Sequence, residues 1–237
     1  GWSLKHLHRL IVTSATYRQS AHVDSQRAEH NRGLDLDPQN ALMWHAQRQR
    51  LSGEALRDAM LQVSGALNLK MFGPSAKPEL PTNVGPGAWE PDARPEDRNR
   101  RSVYVLVKRN LRYPLFEAFD SPAREESCPR RDNTITAGQS LVLLNSSFSY
   151  GCAQGWAQRL VGASGKDVGA LIELAYDEAF CRAPSDEERL AAKVFLERMD
   201  QLRHDETSRA SSDVESLKAF VDFCHVLFNS NEFLYVD

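Results

Sequence analysis

The last hundred residues confine this chain to a mainly helical fold. Apolar residues recur there at helical spacing, and the segments 137–145, 147–162, 167–181, 186–203 and 213–229 read as helices. Two of them open on capping boxes, Ser185-x-x-Glu188 and Ser212-x-x-Glu215. In each, a hydroxyl and a carboxylate satisfy orphan N–H groups of the first turn. Five helices in so short a stretch predict a bundle.

The first third adds helices of a different kind. Ser3 precedes Leu4, Leu7, Ile11 and Ala15 at helical spacing, which predicts an amphipathic helix over 3–18 capped by the Ser3 hydroxyl. After a polar stretch through Asn31-Arg32-Gly33, the pair Asp37-Pro38 supplies an N-cap and a first-turn proline. A long helix is expected from there to about Leu67, with Leu56, Met60, Val63 and Leu67 on one face and Gly53 as a weak point. The centre has no such periodicity. Residues 73–99 hold six of the 11 prolines and read as a long irregular loop. Residues 101–109 alternate around Val103, Val105 and Val107 and predict one strand, paired with the proline-rich loop or with a partner chain. A short helix from Pro114 follows, then an irregular stretch through Cys128 to Thr134. The expected fold is mainly α, a helical bundle with an irregular, Pro- and Arg-rich central segment containing one short β element. It is read as a single domain over 1–237, with N-terminal helices in 1–72, an irregular centre in 73–136 and a C-terminal bundle in 137–237.

Composition narrows the function classes. The 237 residues carry a net charge of −3, which disfavours nucleic acid as a partner. No apolar run approaches the ~18–20 residues that cross a bilayer, so no membrane span is expected. Charge is unevenly placed, however. Residues 94–131 hold ten Lys or Arg against six Asp or Glu, a net of +4. Residues 164–237 hold eight against sixteen, a net of −8. Arginines in the centre either pin irregular backbone or prepare a site for sulfate, phosphate or carboxylate.

The usual catalytic and metal patterns do not occur. Cys128, Cys152, Cys181 and Cys224 are 24, 29 and 43 residues apart, with no Cys-x-x-Cys for zinc, thioredoxin chemistry or haem attachment. Cys181 and Cys224 sit in apolar helical contexts, as small core residues do. The four are read as reduced thiols in or near the core, or as including at least one disulfide. His6 and His8 lie two apart on a helix, about 200° from one another, and cannot chelate one ion together. No His-Glu-x-x-His or Gly-x-Ser-x-Gly is present. The chain starts Gly1-Trp2-Ser3 without an initiator Met or a signal-like segment, and is read as a piece of a longer protein.

Ordered motifs carry a resemblance. They begin with Gly1-Trp2-Ser3-Leu4-Lys5-His6-Leu7-His8-Arg9-Leu10-Ile11-Val12-Thr13-Ser14-Ala15-Thr16-Tyr17-Arg18-Gln19-Ser20. Next come Asp37-Pro38-Gln39-Asn40, Leu51 to Val63 with Glu54-Ala55-Leu56-Arg57-Asp58, and Arg101-Ser102-Val103-Tyr104-Val105. Phe119-Asp120-Ser121-Pro122, Cys128-Pro129-Arg130-Arg131, Thr134, Gln139-Ser140-Leu141, Leu144-Asn145 and Asn229-Ser230-Asn231-Glu232-Phe233 complete the set. Together they resemble the PSD domain of planctomycete-type exported proteins, a C-terminal domain of unknown function found beside cytochrome-c-like domains. The resemblance implies an extracytoplasmic location, partners within the same polypeptide, and haem only in an upstream domain, with no cofactor in this chain. It also implies a setting in polysaccharide degradation. Leu106, Ala137-Gly138 and Gly53 depart from the family pattern at turns and in a helix, which bears on stability more than on chemistry.

The strongest polar cluster is Asp120, Cys128, Arg130, Arg131, Thr134, Gln139 and Asn145, all at positions matching those motifs. As structural groups, Asp120 would cap a turn and accept from Arg130 or Arg131, while Gln139 and Asn145 satisfy loop carbonyls. As functional groups, the same residues would form a pocket for a glycan or an anion. Cys128 beside Arg130 and Arg131 could be a thiol of lowered pKa, an unreactive turn residue or half of a disulfide. General acid–base work needs two titratable groups at a set separation, and only Asp120 and Asp132 are at hand. The leading expectation is therefore a non-catalytic binding or assembly domain. The alternatives are an enzyme acting on an anionic, sulfated polysaccharide through the Arg-rich centre, or a docking surface for an upstream haem domain.

Overall fold

In the computed structural model the chain folds as two compact units, Gly1–Arg50 with Tyr235–Asp237, and Leu51–Leu234. The structure describes residues 1–23, 26–82, 84–85, 87–123, 127–164, 167–206 and 212–236. Helices dominate, in agreement with the expected mainly α class.

The first unit holds α1 (Leu4–Val12), α2 (Ala28–Leu36) and β1 (Gln49–Arg50), which pairs antiparallel with β2 (Tyr235–Val236). Ser3 caps α1 as expected, its hydroxyl accepting the His6 N–H. The helix stops at Val12 rather than residue 18. The Thr13 hydroxyl donates to the Arg9 carbonyl and the Ser14 hydroxyl to the Ile11 carbonyl, so side chains take over where the ladder ends. The expected long helix from Asp37 does not form. Asp37 instead ends α2, and its carboxylate accepts the N–H groups of Ala41 and Leu42. Asn40 and Met43 have φ of 53° and 54°, a left-handed backbone that no right-handed helix can continue through. Gly33 lies under Trp44, where a Cβ would stand 2.8 Å from the indole ring.

In the second unit the expected helical face of residues 56–67 becomes α3 (Gly53–Val63), capped by the Ser52 hydroxyl on the Ala55 N–H. Gly53 is the first residue of this helix, not a weak point inside one. A Cβ there would sit 3.0 Å from the Phe116 Cα and 3.1 Å from the Leu115 carbonyl, so glycine allows the close approach of α5 (Pro114–Ala118). Between them lie α4 (Pro95–Arg98) and a 3-10 turn over Ser102–Tyr104. The expected strand over 101–109 is absent. Val103 lies inside that turn with Val105 and Val107 after it, and a parallel bridge, Ala76 to Val105, joins it to the proline-rich segment.

The five C-terminal helices are present as α6 (Ala137–Asn145), α7 (Ser147–Ser164), α8 (Val168–Phe180), α9 (Asp186–Glu206) and α10 (Ser212–Phe228), followed by α11 (Asn231–Leu234). The Ser185/Glu188 capping box forms, with Glu188 N–H on the Ser185 hydroxyl and Ser185 N–H on the Glu188 carboxylate. The side chains of Ser212 and Glu215 lie outside the described residues. The core runs along α7 and α10, where Ala153, Trp156, Ala157, Cys224 and Phe228 are sealed from solvent and the Trp156 and Phe228 rings stack 5.0 Å apart. None of the four cysteines is bonded to another, which removes a disulfide between them. Cys224 is a core residue as expected. Cys181 is not, because it ends α8 in a left-handed conformation with φ of 55° and lies exposed. Among the described residues no helix is long and apolar enough to cross a membrane.

Candidate functional site

The irregular stretch after α5 is held by polar clamps at both ends. Asp120 turns the chain in a left-handed conformation, φ 59°, and its two carboxylate oxygens accept the Thr134 N–H at 2.9 Å and the Thr134 hydroxyl at 2.7 Å. Gln139, buried at the start of α6, accepts the Thr136 N–H with Oε1 and donates through Nε2 to the Thr134 carbonyl. Asp120, Thr134 and Gln139 thus form one connected set. Thr134 supplies two of the hydrogen bonds that Asp120 accepts.

Arg131 reaches elsewhere. Its two terminal nitrogens donate side by side to Glu54 on the first turn of α3, both at 3.0 Å. Partial burial pulls the Glu54 carboxyl upward, but the Arg131 hydrogen bonds and charge outweigh it, and its pKa lies below the ordinary value. Arg131 remains about half exposed, at 49%, and the Glu54 pair uses only two of its five donors. Cys128 and Arg130 are exposed, the Cys128 thiol donating to the Arg130 carbonyl at 3.1 Å. Asn145 donates to the Leu141 carbonyl in its own helix and lines a different hollow.

A concave site does open beside Arg131. Its volume is about 520 Å³, and Arg101, Arg112 and Arg131 face it together with Glu54, Asp58 and Ser102. Ser121, next to Asp120, is also in its lining, whereas Asp120 and Arg130 are not. Arg112 is steadied by Glu117 and by the Ser121 carbonyl. Asp58 accepts both the N–H and the hydroxyl of Ser102, at 2.7 and 2.6 Å. The Ser102 oxygen in turn accepts from buried Arg57 at 3.3 Å, which orients its proton toward Asp58.

Glu54, Arg57, Asp58, Arg101, Ser102 and Arg112 were not singled out as site residues. The available signal was charge within the periodic segment of α3, since Arg57 stands four residues from Gly53 and from Leu61, in a row the fold buries. Among the described residues no group of three or more His, Cys, Asp or Glu side chains is placed to hold a metal ion.

No curated protein and no solved structure matches this chain. A family model matches residues 1–196, and the chain accordingly belongs to PSD1, described as a protein of unknown function (DUF1553).

Proposed function

We propose that this chain is a non-catalytic binding module of a larger, exported, cytochrome-associated protein, and that an anionic saccharide occupies the hollow beside Arg131. The observation that carries the reading is the convergence of Arg101, Arg112 and Arg131 with Glu54 and Asp58 around one open volume of about 520 Å³. Guanidinium groups take sulfate or carboxylate oxygens in pairs, and carboxylates accept from sugar hydroxyls. The Asp120 oxygens are engaged by Thr134, which favours binding over the alternative in which Asp120 is an acid or base. The test is calorimetric titration with a sulfated and a neutral oligosaccharide of equal length. Saturable, salt-sensitive binding of the sulfated form, weakened tenfold or more in Arg131→Ala, is the expected result. Absence of binding by either, or turnover of the oligosaccharide that is lost in Asp120→Asn, overturns the proposal.

A second reading rests on charge. The net of +4 over 94–131 against −8 over 164–237 suits docking to an upstream haem domain of the same extracytoplasmic polypeptide. It predicts association with that domain that weakens with salt in a pull-down, and association indifferent to salt removes it.

A further inference from the structure

A larger hollow, about 890 Å³, opens in the same unit and plays no part in the proposal above. Its size lies within the ~300–1,000 Å³ of small-molecule sites, which are mostly apolar with a few fixed polar groups. Prolines 78, 81, 95 and 114 and the side chains of Leu80, Leu141, Val142 and Phe148 supply the apolar wall. Three charged residues line it. Arg98 and Glu79 pair with one another, which leaves Arg57 as the net charge.

Arg57 is wholly buried and imperfectly neutralised. Its terminal nitrogens donate to neutral acceptors, the Arg100 carbonyl at 2.9 Å, the Ser102 hydroxyl at 3.3 Å and the Arg98 carbonyl at 2.7 Å. Its Nε–H has no partner. Asp58 approaches only to 3.8 Å, and the same oxygen already receives two hydrogen bonds from Ser102. A buried cation in this state carries a desolvation cost that an added anion would offset. The other ionisable groups of the wall do not supply one. Burial pushes the Cys152 thiol up to about 12 and the Tyr113 phenol above its ordinary value, so both are neutral. The Arg57 guanidinium lies 5.5 Å from the Phe148 ring and 6.0 Å from the Tyr113 ring, and both rings line the hollow. Phe148, the ring nearer the cation, is only half-buried.

We infer that this hollow binds a small organic monoanion, its carboxylate or sulfonate directed at Arg57 and its apolar body laid along the proline wall. α7 provides the means to test it. Gly151 lines the hollow, and a Cβ added there meets nothing within 4 Å, so a larger side chain has room at the cavity wall. The probes are 1-naphthoate and the uncharged 1-naphthamide, titrated calorimetrically into the whole chain. One-to-one binding of naphthoate is expected, with the amide at least tenfold weaker. Gly151→Phe should reduce naphthoate affinity at least tenfold with the circular dichroism spectrum and Tm retained. As a second readout that needs no variant, saturating naphthoate should shift the Arg57 Nε–Hε signal in ¹⁵N NMR spectra. Equal affinity for acid and amide overturns the inference. So does the absence of naphthoate binding, binding that leaves the Arg57 signal in place, or undiminished binding in folded Gly151→Phe.

Discussion

The pair α7 and α10 and the segment from Asn68 to Val107 both place residues in the interior, yet they are held by different forces. An α-helix satisfies its interior carbonyls through its own i→i−4 ladder, so the interface between the helices can be apolar. Trp156 and Phe228 stack across it, and the one polar atom that Trp156 brings in, Nε1, donates to Glu178 at 2.7 Å. The irregular segment has carbonyls with no ladder to enter, and a buried carbonyl without a donor is costly. Two arginines supply the donors. Arg100, 4% exposed and stacked 4.1 Å over Tyr104, donates to the carbonyls of Lys70, Phe72 and Pro74. Arg57 donates to those of Arg98 and Arg100. Where regular structure is absent, a planar cation with several donors does the work that a helix does for itself.

The sharpest way to break this contrast is Arg57→Met, which keeps the bulk and removes the donors. It should cost about 3–5 kcal/mol in urea unfolding, because two carbonyls and a hydroxyl lose their partner in the interior. A loss below 1 kcal/mol would mean that apolar packing holds the centre after all. Arg100→Lys should cost about 1–3 kcal/mol, since an ammonium cannot reproduce the fork over three carbonyls. Hydrogen exchange should then quicken across residues 68–76 and remain slow in α7 and α10. Uniform loss of protection in both regions would erase the distinction.

Smaller effects refine the picture at the edges of the two regions. Thr134→Val removes one of the hydrogen bonds that Asp120 receives and should cost about 1 kcal/mol in the same assay, because the site is half open to water. Asp120→Asn should cost a similar amount, and changing both should cost less than the two separately. At the helical end, Arg182 joins Glu188 to Glu232. Hydrogen bonding to Arg182 brings the Glu188 pKa down to about 2 from an ordinary 4.5. The folded state therefore binds fewer protons than the unfolded one over that interval. The stabilisation is complete above about pH 4.5 and is lost as the pH falls toward 2. The pair is partly exposed, so the change should stay below about 1 kcal/mol. Arg182→Gln should flatten this part of the Tm-against-pH curve, and an unchanged slope would assign the acid sensitivity to other carboxylates.

Local signals were legible wherever they act within one or two turns. The span expected for 137–145 is α6 to the residue, and the box at Ser185 and Glu188 closes as its spacing requires. Errors occurred where two local signals conflicted or a distant partner decided. Asp37-Pro38 has the chemistry of a helix start, but left-handed Asn40 and Met43 follow, and the Ser52 hydroxyl caps the helix that does form. Val103, Val105 and Val107 alternate as a strand does, yet among the described residues the bridge they make is Val105 to Ala76 alone, so the alternation joins no sheet. For the candidate site, Asp120, Thr134 and Gln139 are close enough in the chain for their clamp to be anticipated as loop-closing polar groups. The Arg131 to Glu54 pair spans 77 residues, and no pattern within either segment reveals it.

From its own order of residues, this chain determined that most of it would be helical and where many of those helices begin, because periodicity and caps are decided within a few residues. Tertiary structure alone decided which charged groups are buried, and therefore where the two hollows lie. Arg57 looks like any surface arginine in the sequence and becomes a sealed cation only when Arg98, Arg100 and Ser102 are folded over it from more than forty residues away. Burial depends on which surfaces meet, and that is a property of the assembled fold rather than of any one stretch of chain.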